Sequence, residues 1–169
     1  MAANSLSWIL VVCLLANVCD VIVSDFSSFY QTTPCPHLWT AYEDNCFMMY
    51  AIPATRAEAK KECEQMQGGT LVSIVTSRDD DFLVNYWDEI SPLTTDIWVG
   101  LKRNPENRQE FFWDNDVGIQ HVNWLDGEPN DHGKNEDCVV YIRRKDNEGW
   151  NDRECYDKKY PFICMKPRV

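Results

Sequence analysis

The sequence predicts a mixed α+β fold in a single domain. Two segments carry helix-start signals followed by apolar residues at helical spacing, several short apolar runs read as strands, and six of the eight cysteines, all but Cys13 and Cys19 near the start, are spread through both. A chain of 169 residues is the size of one domain.

In order, residues 6–16 form an apolar run too short to span a bilayer and suited to the core of a secretory signal peptide. Cleavage is expected after Ser24, with Cys19 as the other candidate position, and residues 25–34 then form a short polar leader. Residues 35–52 look like a hairpin that turns at Glu43-Asp44-Asn45, and a Cys35–Cys46 bridge would staple it. Thr55 followed by Glu58 is a capping box, and Gly68-Gly69 is expected to stop that helix. Leu71-Val72-Ser73-Ile74 reads as a strand. Ser77 is expected to cap a second helix, with Asp79, Asp80 and Asp81 in its first turn, where negative charge suits the helix dipole. Phe82, Leu83, Tyr86 and Trp87 give it one apolar face. Strands follow at 96–101, 111–113, 138–142 and 160–165, and most of the stretch from Val117 to Gly149 reads as loop. Loops that long inside a compact domain usually carry function.

That loop holds the chemistry. Glu128, Asn130, Asp131, Glu136 and Asp137 precede an apolar strand, and Asn151 and Asp152 follow it beside Trp150. All offer side-chain oxygens, which suit Ca²⁺ with its 6–8 hard ligands. Zn²⁺ would call for Cys or His, and His132 has no partner nearby. An acidic, turn-rich surface loop is the plainer reading. The split of the cluster by a strand favours a site, because two chain segments can then converge.

Composition excludes several classes. The formal charge is -11, and residues 1–24 contribute only Asp20, so the acidity belongs to the remainder and disfavours nucleic acid and anionic membranes as partners. Beyond the first residues no run is long and apolar enough for a membrane span. Cys35, Cys46, Cys63, Cys138, Cys155 and Cys164 are an even set and read as disulfides of a secreted protein, although about 15 pairings are open. No heptad or collagen-like repeat signals an oligomer. Glu136 and Asp137 could be drafted as acid and base of a hydrolase, but adjacent strand residues point to opposite faces, and no nucleophile with a neighbouring base is evident, so an enzyme is not expected.

From Cys35 to Cys164 the chain resembles a C-type lectin domain. The resemblance is carried by the cysteines, Trp98-Val99-Gly100-Leu101, Asn123-Trp124, Glu128-Pro129-Asn130, Glu136-Asp137-Cys138 and Trp150-Asn151-Asp152. It implies a lectin-like domain over residues 35–169, with two helices, two small antiparallel sheets, a long Ca²⁺-binding loop region, and pairings Cys35–Cys46, Cys63–Cys164 and Cys138–Cys155. It implies Ca²⁺ held by Glu128, Asn130, Glu136, Asn151 and Asp152, a cis Glu128–Pro129 bond, and sugar hydroxyls bound by Glu128, Asn130, Glu136 and Asn151 as well as by the ion. Glu-Pro-Asn resembles the family's mannose, N-acetylglucosamine and fucose motif; Gln-Pro-Asp is its galactose counterpart. An accessory Ca²⁺ site is implied at Asp131, Glu136 and Asp137 with acids from the preceding loop. There Arg103 falls where an acid is wanted, leaving Asn107 or Glu106 to substitute. The expected function is that of a secreted Ca²⁺-dependent lectin for mannose-type glycans on microbial or host surfaces. The alternative is the same fold used as a protein-binding module without sugar activity.

Overall fold

The computed structural model describes residues 35–145 and 147–168, so the expected signal peptide (1–24) and leader (25–34) lie outside the described residues. Strands β1 (Thr40–Tyr42) and β2 (Asn45–Ala54) form the expected hairpin, and Cys35 is bonded to Cys46. Helix α1 (Arg56–Glu64) starts on the expected box: Thr55 Oγ1 accepts from the Glu58 N–H at 3.3 Å, and the Glu58 carboxylate accepts from the Thr55 N–H at 2.9 Å. The Thr55 N–H and hydroxyl hold the Glu58 carboxyl below the usual glutamate range. The helix ends at Glu64, short of the glycine pair. Gly68, at φ 70, instead turns the chain into β3 (Thr70–Leu71). The strand expected over 71–74 is ladder-paired only at its start. Val72 reaches across, donating to the Ile163 carbonyl at 2.9 Å and accepting from the Gly100 N–H at 2.8 Å.

Helix α2 (Ser77–Ile90) is capped by Thr76, not by the expected Ser77. A capping box needs its acid three residues after the cap. Asp79 meets that demand for Thr76, accepting from the Thr76 N–H at 2.7 Å. The acid that would have served Ser77 is Asp80, which points instead to His121 and Asn123.

The remaining strands are β4 (Asp96–Arg103), β5 (Phe111–Trp113), β6 (Cys138–Arg144), β7 (Asn147–Arg153) and β8 (Tyr160–Pro167). They run in the order β1-β2-β8-β4-β6-β7, with β3 on β8 and β5 on β4. The two expected antiparallel sheets are joined through one parallel pairing, Trp98 with Phe162, into a single mixed sheet. Strand β7 was not legible: its sequence, NEGWNDR, is polar and does not alternate, and it exists by pairing along β6.

Both faces of β4 are buried, and alternation assigns each to a helix. Ile97, Val99 and Leu101 pack with Leu83, Tyr86 and Trp87 of α2, whereas Trp98 packs with Ala59 and Cys63 of α1. Trp87, Trp98, Trp113 and Trp150 are fully buried, as expected of core residues. The Cys63–Cys164 bond fastens α1 to β8. An ion cluster does the same for β5: the buried Asp114 carboxylate meets Arg56 at 2.7 Å and Lys60 at 3.3 Å.

Replacing Cys63 and Cys164 together by Ala reopens a 101-residue loop. It should lower the unfolding free energy by about 4–5 kcal/mol in the chain-entropy account, read by chemical denaturation.

Candidate metal and sugar site

The site lies on the outer side of β7, the last strand in the sheet order. A sheet edge exposes unpaired N–H and C=O groups. Here residues 123–125 cover it: Trp150 N–H donates to the Asn123 carbonyl at 2.6 Å, and Leu125 N–H donates to the Trp150 carbonyl at 3.0 Å. The approach is so close at Gly149, φ 153, that a Cβ there would lie 2.6 Å from the Asn123 oxygen. Asn123 is held in turn by Asp80, whose Oδ2 accepts from Asn123 Nδ2 at 2.8 Å and lies 3.0 Å from His121 Nε2. Tyr141 closes this network, accepting from Asn123 Nδ2 at 3.2 Å; burial, then the Asp80 charge, push its hydroxyl pKa upward. Sequence reasoning missed these anchors. Their one trace was three acids at the start of α2, more than a cap needs.

Beyond Leu125 the chain doubles back toward β7. The Glu128–Pro129 bond is cis, as the resemblance implied. Asn130 N–H donates to Asp152 Oδ1 at 3.1 Å and Asp131 N–H to Asp152 Oδ2 at 2.8 Å, so both carboxylate oxygens of a fully buried Asp152 grip the loop. Asp131 itself is left-handed, φ 48, a conformation Asp tolerates better than most residues. The Asn151 amide donates to Glu128 Oε1 at 2.7 Å and the Asn130 amide to Glu128 Oε2 at 2.6 Å. Glu136 Oε2 accepts from the His132 N–H at 2.9 Å. Asn130 is exposed, Glu128 half-buried, and Glu136, Asn151 and Asp152 are buried, so the group opens to solvent on the Glu128-Asn130 side.

Contacts therefore join Glu128, Asn130, Asn151 and Asp152 directly. Glu136 is linked through Arg153, whose Nη1 donates to Asn151 Oδ1 at 2.5 Å and lies 3.6 Å from Glu136 Oε1. Arg153 was missed. It is two residues beyond Asn151 on a strand, hence on the same face, and was readable on that ground.

The set suits a hard divalent cation by its chemistry. Burial, then the neighbouring Asp152 carboxylate, raise the pKa of Glu128, and the Arg153 charge opposes them. Each asparagine carries an oxygen as well as the NH₂ it now presents. Among the described residues, no three His, Cys, Asp or Glu side chains form a metal cluster by themselves. Amides and carboxylates together would be needed.

The accessory set is arranged differently. Asn107 turns into its own loop, donating to Glu110 Oε1 at 2.8 Å and accepting from the Gln109 N–H at 3.2 Å. Asp131 and Asp137 face arginines. Arg108 makes a two-pronged contact with Asp131, at 2.9 and 2.6 Å, and its Nη1 lies 2.8 Å from Asp137 Oδ1. The Arg108 fork holds the Asp131 carboxyl below the usual range. Arg103, the misfit noted in the sequence, is buried and donates to Asp152 Oδ2.

Residues 52–166 match the lectin C-type domain. The chain belongs to the lectin C-type domain family. Among this domain's relatives, the low affinity immunoglobulin epsilon Fc receptor of Homo sapiens is 30% identical over 138 residues, covering 82% of this chain and 40% of the receptor. The chain thus spans two fifths of that protein's length. An alpha-N-acetylgalactosamine-specific lectin of Patiria pectinifera is 27% identical over 159 residues, covering 87% of this chain and 93% of that lectin. In structure, the lectin-type domain is similar to the cow carbohydrate-recognition domain of CD23, solved in the presence of a GlcNAc2Man3 oligosaccharide. The TM-score is 0.69 at 28% identity, over 80% of this chain and 98% of that one. A calcium-independent type II antifreeze protein has the same fold, with a TM-score of 0.70 at 22% identity over 83% of this chain and 99% of that one. The matched relatives are binding proteins, and no catalytic family is indicated.

Asp152→Ala should destabilise the domain by about 3–5 kcal/mol, because it strands a buried Arg103 guanidinium. Asn151→Ala, which removes hydrogen bonds to the Glu128 carboxylate and the Arg153 guanidinium but no buried counter-charge, should cost about 1.5–3 kcal/mol, making it the cleaner probe of the site. Thermal unfolding of the two variants compares these costs.

Proposed function

We propose that this chain is a secreted, Ca²⁺-dependent carbohydrate-binding protein of the mannose, N-acetylglucosamine and fucose type. The observation that supports it most is the contact network joining Glu128, Asn130, Asn151 and Asp152, residues from two segments on either side of β6. With Glu136 these residues would hold one Ca²⁺, whose chemistry is to bind two neighbouring sugar hydroxyls directly. The chain's own part is to complete the hydroxyl contacts. Glu128 and Glu136 can only accept, while the amides of Asn130 and Asn151 donate. That donor and acceptor order is what a mannose-type diol would read. Three disulfides and the absence, among the described residues, of a helix able to cross a membrane fit an extracellular setting. The partners are then mannose-type glycans on microbial or host surfaces.

A protein-binding module that needs neither metal nor sugar is the second reading. It is favoured by one observation: Arg103, Arg108 and Arg153 already knit the loop together through its own carboxylates.

Chelation should release the chain from a mannose column, and Glu128→Gln with Asn130→Asp should move retention toward galactose. Failure to bind the column even with Ca²⁺ would favour the second reading, and retention in excess chelator would refute the Ca²⁺ dependence. Retention should also fall on acidification. Glu128 carries a raised pKa, so it protonates above the ordinary glutamate range, and its protonated form competes with a cation. Ca²⁺ uptake should therefore release protons, measurable in weakly buffered solution, increasingly so as the pH is lowered toward the Glu128 pKa.

A further inference from the structure

We infer that Arg103 and Arg108 take the place of an accessory Ca²⁺, so that the domain binds a single Ca²⁺, and that Arg103 is a positioning residue for the ligand Asp152. The inference rests on the Ca²⁺-dependent reading above. Arg103 is buried and spends its guanidinium on the loop. It donates to Asp152 Oδ2 and to the Arg108 carbonyl; its Nε donates to the Glu136 carbonyl at 2.9 Å and lies 4.0 Å from Asp137 Oδ1. Its carbon stacks 4.5 Å from the Phe111 ring centre, which fixes the plane of the fork. Arg108 then bridges Asp131 to Asp137 from the solvent side. The carboxylates that a second ion would require thus already face fixed positive charge.

A guanidinium has no lone pair to offer a metal and keeps its charge at any ordinary pH. It excludes a neighbouring cation while performing that cation's structural task, which is to draw acidic loop residues together. The charge of the whole cluster agrees. Glu128, Asp131, Glu136, Asp137 and Asp152 face Arg103, Arg108 and Arg153. Five negative groups against three positive ones leave two negative charges, which one divalent ion neutralises and two would overshoot.

Asp152 receives three donors: the Asn130 and Asp131 N–H groups and Arg103. Only Arg103 comes from outside the segments that supply the candidate ligands. Partners of this kind set ligand orientation, and their loss commonly weakens metal affinity about 10–100-fold.

The test uses the full chain and Ca²⁺ alone as first probe. Equilibrium dialysis should give one Ca²⁺ per wild-type chain; two would overturn the replacement of the accessory ion, and none would overturn the Ca²⁺-dependent reading instead. Hydrogen exchange in chelator decides the arginine role separately. Arg103→Met keeps the apolar stem but strands the buried Asp152 carboxylate, so exchange should speed throughout the domain, and across residues 127–137 by at least about tenfold more than in β2 and β8. It should also raise the Ca²⁺ midpoint by about tenfold while sugar affinity at saturating Ca²⁺ stays at the wild-type value, a split that general destabilisation would not produce. Should Arg103→Met fail to fold, Arg108→Met removes only the half-exposed bridge and should speed exchange in the same segment. Unchanged loop exchange in the variants that fold would refute the proposal.

Discussion

A buried carboxylate, Asp152, is the constraint on which the functional face depends. It sits on β7 with no exposure, and three donors converge on it: two backbone N–H groups of the 130–131 turn and the Arg103 guanidinium. A buried charge is costly unless paired and hydrogen-bonded, and these donors meet that demand. The pairing is also directional. It fastens a loop that would otherwise hang from the sheet, and it aims that loop at the end of β7. Asn151, the next residue back, then meets Glu128 across the gap.

The scaffold beneath is ordinary core physics used to make a rigid edge. Alternation along β4 gives each helix one side of the sheet, and the Trp98–Phe162 pairing joins the two antiparallel halves. The Cys138–Cys155 bond then closes the chain around β6 and β7, the hairpin whose second strand carries Asn151 and Asp152. Residues 123–125 cover the open edge, and Asp80, from the start of α2, anchors them by way of Asn123. A polar site can then be mounted on backbone that the core holds still.

Charge distribution separates two tasks within one acidic loop. Toward β4 and β5, arginines neutralise Asp131, Asp137 and Asp152 and draw the loop inward. On the open side, Glu128 is met by the Asn130 and Asn151 amides, and burial beside the Asp152 carboxylate raises its pKa. The first side is closed by ion pairs, and the second opens to solvent at Glu128 and Asn130. Membership of the lectin C-type domain family accounts for the scaffold.

Much was legible in residue order alone. The capping box at Thr55, the apolar face of α2, the buried β4 pattern and the even cysteine set depend on neighbours three or four positions away or on simple alternation, so they survive reading in one dimension. The candidate site at Glu128, Asn130, Glu136, Asn151 and Asp152 was visible as a grouping because oxygen-bearing residues clustered in two short runs. What needed the tertiary structure was every choice between equivalent local options. Thr76 prevailed over Ser77 because distant His121 and Asn123 claimed Asp80. The polar β7 became a strand because β6 offered it a full ladder. Arg103, Arg108 and Arg153 became loop cations because folding carried them to carboxylates far along the chain or across a hairpin. Sequence determined which groups were available and the local geometry they preferred; only three-dimensional packing decided which charges would meet, because a Coulombic partner is chosen by distance in space, and that distance is set by the core.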